Sequence, residues 1–369
     1  MHKIALLASL LWTIVLAGGL APAAHAADAP RWLVSPELLG AAKLEIVWET
    51  VLPIRPGEKL QTLSCVGGGV YALSDRNYLA ALGGDKGNVV FAKSIAPVGF
   101  PLLGFDRFED VLITVIGNSI LEIKPGSGTI ARTLPVTDYG LICPVARTES
   151  HYYLPGVDTR VHVVKAESLV ELFTVAGTAQ SAITSVVAAD DYVVFATNAG
   201  YLMSFAPDRP YKFWDMQFAE GIVGPVVRSG DSLFFACGDT HVYRVDCPTI
   251  TNKRLVWKHP IGSIPKTSPR VTANVVYQYG PLKGVTAIDR ESGKALWKLP
   301  EGLDLLAESA RRAYLISTQK TLVVMDNAGA RKVLTVNMAD VDLYASNTRD
   351  ARMYIGDTRG RVMCIRPAR

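Results

Sequence analysis

An apolar position recurs through this chain at a pitch of about 40 residues, and that periodicity limits the fold more than any local motif does. Its clearest copy is Gly284-Val-Thr-Ala-Ile-Asp-Arg-Glu-Ser-Gly-Lys-Ala-Leu-Trp297: an alternating strand, a polar turn with Asp and Gly, and a second strand holding tryptophan. The last apolar residue of the first of these strands reappears as Leu82, Ile123, Val164, Phe205, Val245, Ile288, Met325 and Ile365. The spacings are 41, 41, 41, 40, 43, 37 and 40. Eight copies on one pitch require eight copies of one supersecondary unit.

Upstream of each copy lies another β-rich run, as in Val111-Leu-Ile-Thr-Val, Tyr192-Val-Val-Phe-Ala and Arg352-Met-Tyr-Ile. The joining turns, such as Gly117-Asn118, Gly238-Asp239 and Gly356-Asp-Thr-Arg-Gly360, hold residues that tolerate positive φ. A third run further upstream often carries proline, as in Val223-Gly-Pro-Val-Val. These runs and the tryptophan strand make four strands per repeat, and no helical period competes with them. The sequence therefore predicts an all-β fold over residues 42–369: an eight-bladed β-propeller of four-stranded antiparallel blades.

The first strand-like segment, Lys43-Leu-Glu-Ile-Val-Trp48, has no three strands before it, and the last copy, at Ile365, has no outer strand after it. The expectation is that the N-terminal strand completes the last blade and removes an open sheet edge. Trp48, Trp214, Trp257 and Trp297 are the expected wedges between blades, since a single blade cannot bury its own apolar faces.

The segment Ala287-Ile-Asp289-Arg-Glu-Ser-Gly293-Lys294-Ala-Leu-Trp297 resembles the repeat of the pyrroloquinoline-quinone-type propellers. Other copies keep pieces of it, such as Asp85 with Gly87 and Asp326 with Gly329, and the copy around Val164 has lost both glycine and tryptophan. The quinoprotein dehydrogenase branch of that family implies a channel-bound quinone, a calcium ion, an aspartate base and often adjacent cysteines. The chain has no adjacent cysteines, and the eight repeats leave no length for large inserted loops. The BamB branch implies an exported scaffold of similar size. This sequence fits that branch better, although it lacks the lipidated cysteine the branch carries.

Residues 1–26 read as a signal peptide, with Lys3 ahead of an apolar stretch from Ala5 to Leu20 and a small-x-small site at Ala24-His25-Ala26. Retention as an anchor is the alternative, since about 18 apolar residues suffice to span a bilayer. Residues 27–41 read as a linker. Without Lys3 the count is 37 Lys+Arg against 34 Asp+Glu, and no concentrated basic face for nucleic acid is visible. Cys65, Cys143, Cys237, Cys247 and Cys364 form no CxxC, and four of them sit in apolar runs. Mostly free thiols are expected, with one bridge as the alternative.

Catalytic chemistry is hard to place. Beyond the signal, His151, His162, His241 and His259 are scattered, and only His151 and His162 fall on neighbouring strands where they could meet. The carboxylate pairs Glu109-Asp110 and Asp190-Asp191 read as solvated turns. No GxSxG, HExxH or P-loop pattern is present. Tyr211, Phe213 and Phe218, beside Arg209 and Lys212, form the one aromatic surface suited to a protein contact.

The sequence thus predicts an exported, monomeric, non-enzymatic scaffold that binds a protein in the periplasm or an equivalent envelope compartment, with no catalytic, cofactor-binding or metal residues assigned. A quinone-dependent oxidoreductase and a carbohydrate-binding propeller are the alternatives.

Overall fold

The structure, a computed structural model, describes residues 32–368, and the expected signal peptide lies outside the described residues. Thirty-two strands assemble into eight four-stranded antiparallel sheets. In seven of them four consecutive strands pair in sequence order, covering 60–94, 102–135, 146–176, 183–217, 222–260, 270–299 and 302–337 (blades 1 to 7). Blade 8 takes three strands from 343–367 and its fourth from Leu44–Val51 at the other end of the chain. That strand runs antiparallel to Arg361–Pro367, pairing Glu45 with Arg366 and Thr50 with Val362. The first strands of blades 1 and 8 also meet. The ring is closed as the sequence predicts.

The core is divided among the seams. Eight buried apolar clusters occur among the described residues, and each draws its members from two successive blades. Phe234 and Val242 of blade 5, for example, pack with Val276 and Ile288 of blade 6. Burial therefore accrues between repeats, which is why the pitch has to be conserved within the chain.

All eight repeat positions are buried, from 0% exposed at Ile123, Val245, Ile288 and Ile365 to 4% at Met325. Each also marks a bulge. Between the third and fourth strands the register slips at Ala81/Leu82, Glu122/Ile123, Val163/Val164, Ser204/Phe205, Arg244/Val245, Ala287/Ile288, Val324/Met325 and, in blade 8, opposite Ile46/Trp48. An extra residue in the outer strand bends it and adds twist, and twist lets a blade lie against its neighbour.

The expected linker contains structure. Ser35 caps a short helix, Pro36–Ala41, with proline at its first turn, and Leu33, Val34 and Leu39 enter the cluster between blades 7 and 8. No described helix is long and apolar enough to cross a membrane.

Candidate functional site

The four tryptophans are all at most 8% exposed and lie in the outer strands. Three reach across a seam: the indole N–H of Trp48 donates to the Gly84 carbonyl (3.0 Å), that of Trp257 to the Arg290 carbonyl (2.9 Å) and that of Trp297 to Asn327 Oδ1 (2.8 Å). The turn glycines of the next blade make room for the rings. A Cβ on Gly87 would come within 2.3 Å of Trp48, and one on Gly293 within 2.5 Å of Trp257. Phe91 occupies the same place over Gly128. Trp214 is buried between blades 4 and 5 with its indole N–H unpaired.

Histidines and carboxylates are distributed differently from the simplest reading of the sequence. His151 pairs in register with Lys165, and His162 with Leu154, so the two imidazoles do not meet. Instead His162 lies 2.7 Å from Glu171 and 3.1 Å from Asp158, stacked on Tyr139 at a centroid distance of 3.5 Å. His151 joins Asp190, Asp191, Glu149, Asp208 and Phe213 around a cleft of about 450 Å³ between blades 3 and 4. Burial holds the His151 imidazole below its ordinary range.

Of the expected contact aromatics, Tyr211 is 58% exposed and packs edge-on against half-buried Phe213 at the rim of this cleft. Phe218 has to be removed from that surface. It is 8% exposed and turned into the seam between blades 4 and 5, with its ring 4.7 Å from Tyr243 and 5.0 Å from Phe235. The strand Lys212–Gln217 ends one residue earlier, and the chain folds inward there.

A larger apolar surface escaped the sequence reading. It is built from the loop joining blades 1 and 2, the loop joining blades 2 and 3, and the central turn of blade 3. Val98, Phe100, Ile142 and Val157 are 65, 48, 41 and 59% exposed on it. The three segments lie side by side. Val98, Phe100, Gly140 and Leu141 line one cavity of about 520 Å³, Leu141 bridges to Gly156, and the Val157 amide donates to the Gly140 carbonyl. They are also anchored from beneath. Buried Asn77 donates to the Pro97 carbonyl (2.7 Å) and the Phe100 carbonyl (3.1 Å), and the stack of Tyr139 on His162 secures the second loop. The signal was present in Pro97-Val-Gly-Phe-Pro101 and Gly140-Leu-Ile142, where bulky apolar residues stand beside glycine in the segments that join successive blades.

No group of three ligating His, Cys, Asp or Glu side chains is assembled among the described residues. Asp304, a carboxylate on the inner strand of blade 7, is engaged on both oxygens by Arg270 of blade 6, at 3.0 and 2.8 Å. The five cysteines are unpaired, and burial pushes the Cys143 and Cys364 thiols up to about 12 and those of Cys237 and Cys247 to about 11.

Residues 199–362 match a family model described as Outer membrane protein assembly factor BamB. No curated protein sequence matches the chain. Among solved structures, BamB from Moraxella catarrhalis superposes with a TM-score of 0.66 at 13% identity, over 88% of this chain and 97% of that one. The computationally designed Ika8 protein gives 0.66 at 13% identity, over 86% and 98%. A chain in a mitotic checkpoint complex gives 0.51 at 13% identity, over 69% and 83%. The chain is thus an eight-bladed propeller, similar in fold to BamB and, over residues 199–362, similar in sequence to the BamB family model.

Proposed function

We propose that this protein is an exported, non-enzymatic scaffold of the cell envelope whose looped face, at blades 1 to 3, binds another protein. The observation that carries the reading is the exposed set Val98, Phe100, Ile142 and Val157 on loops that are already ordered by Asn77 and His162. Contiguous exposed apolar surface is a liability in a soluble domain unless something covers it. Holding the loops in place lowers the ordering cost of association, so more of the apolar burial appears as affinity. The similarity to BamB supports the same reading, as does the signal-like segment at residues 1–26. The rim at Tyr211 and Phe213 is a second contact surface of this scaffold.

A photo-crosslinking residue placed at Val157 in the envelope of the producing cell tests this directly. A discrete adduct is expected there and at Ile142, and Val98→Ser/Phe100→Ser should abolish it. Equal crosslinking from Lys294, on a turn between the outer strands of blade 6, would show that contact is nonspecific. Mass analysis of the mature protein should find the N-terminus at Ala27, and an intact Met1 would contradict export by cleavage.

A further inference from the structure

On the same face as the apolar loops, the inner strands of blades 1 and 2 separate around a cavity of about 630 Å³. Two irregularities open it. The first strand of blade 1, Leu60–Val66, carries a bulge in which Gln61 is the extra residue between the pairs Leu60 with Ser74 and Thr62 with Leu73. The first strand of blade 2, Leu102–Phe108, leaves register between Leu102 and Phe105, where Gly104 takes φ +119°. Comparable bulges in blades 4 and 7 carry Thr184 and Leu303, so the bulge belongs to the architecture, whereas the amide at this position belongs to blade 1. A bulge re-aims the side chain it adds, and this one turns Gln61 into the cleft.

The lining has a consistent chemistry. Gln61 and Thr62 are exposed and Ser64 is half-buried, and all three face the cavity. Asp75 contributes a carboxylate with one oxygen occupied by the Lys59 amide. Phe100 and Phe105 supply rings. Phe100 rests against Gly117, where a Cβ would come within 2.5 Å of the ring, so the platform is fixed while about half of the residue stays open to solvent, at 48% exposure. Among the described residues, no lysine, arginine or histidine lines the cavity.

We infer that this cleft is a binding site for a neutral saccharide. A sugar hydroxyl both donates and accepts, so a ring of hydroxyls is matched by a carboxamide, two hydroxyls and a carboxylate together, while the C–H face of a pyranose covers an aromatic ring. Anionic ligands are disfavoured, because Asp75 repels them and no cation compensates. The volume falls in the range of small-molecule sites. The site shares Phe100 with the apolar loop surface but takes its polar groups from Gln61, Thr62, Ser64 and Asp75, none of which belongs to that surface.

Saturation-transfer NMR and calorimetry on the mature protein, with maltotetraose, cellotetraose and chitotetraose at millimolar concentration, test the inference, with spermidine as a cationic probe. One saccharide is expected to bind, and Gln61→Ala/Thr62→Val should weaken it about ten-fold by removing two hydrogen-bonding groups while the melting temperature is unchanged. Crosslinking at Val157 should be unaffected in that variant, so failure of the saccharide site and failure of the scaffold reading give different results. Absence of transfer from all three sugars, equal affinity in the double variant, or binding of spermidine in their place would each overturn the assignment.

Discussion

Trp257 of blade 5 lies across Gly293 of blade 6, close enough that a Cβ on that glycine would sit 2.5 Å from the indole. The same glycine has φ +69°, so a single atom would meet two obstacles, a disfavoured backbone region and a filled seam. Gly293→Ala should therefore cost about 2 to 5 kcal/mol, the sum of a left-handed penalty and an overpacking penalty. Gly126, in the corresponding turn of blade 2, has open space around it and no positive φ. Gly126→Ala should fall within about 0.5 kcal/mol of wild type. Urea midpoints for the pair check both statements, and similar losses in the two would refute the docking account.

Ring closure gives a second prediction. Removing residues 44–51 leaves Arg361–Pro367 as an unpaired edge and takes Trp48 from the seam between blades 8 and 1. Calorimetry should then show a broadened, lower transition, and light scattering should show self-association through the exposed edge. Trp48→Ala alone keeps the strand pairing and should cost about 3 to 5 kcal/mol for the vacated volume. A deletion variant that melts as sharply as the full chain would mean that the ring does not depend on this strand.

The blade count and the closing strand were legible because they depend on alternation and pitch, which a chain displays along its length. Leu82 through Ile365 recur on one pitch, and each sits at the same bulge in its blade. The surfaces were less legible. Phe213 and Phe218 read as equals in the sequence, but the strand stops at Gln217 and the next residue turns into the seam. Val98, Phe100, Ile142 and Val157 lie in three different segments, and only closure of the blades brings those segments together. Gln61 was hidden for a related reason, since a bulge cannot be read from alternation that it breaks.

The repeat's aspartate gives a pH-dependent contribution. The Ser292 hydroxyl and amide both donate to Asp289 Oδ1, at 2.6 and 2.8 Å, and they hold its carboxyl below the ordinary aspartate range. The folded chain therefore binds this proton more weakly than the unfolded chain does. The resulting stability is present above the unfolded value of about 3.9 and is lost as pH falls through the lower folded value. Asp289→Asn retains an acceptor oxygen but does not titrate there. The stability difference between wild type and this variant should be constant near neutrality and shrink below about pH 4. Urea midpoints at pH 7 and pH 3 measure it, and a difference that grows on acidification would reverse the assigned sign.

Glu122 poses the sharpest energetic question, because its side chain is only 4% exposed and lies between blades 2 and 3. Arg147 donates to Oε1 at 2.9 Å, the Tyr152 hydroxyl at 2.6 Å and Arg132 at 3.4 Å, while the Arg147 guanidinium lies 4.8 Å from the Phe108 ring centre. Replacing the carboxylate leaves a desolvated guanidinium without its counter-charge, so Glu122→Gln should lose about 3 to 5 kcal/mol. Tyr152→Phe removes one hydrogen bond and keeps the ion pair, for about 1.5 to 3 kcal/mol, the range of a hydrogen bond to a charged group. If the loss in Glu122→Gln comes from the stranded cation, removing that cation as well should restore much of it. Glu122→Gln/Arg147→Met should accordingly be more stable than Glu122→Gln alone, as judged by urea unfolding. Additive losses in the double variant would instead mean that each residue holds the seam through its own packing.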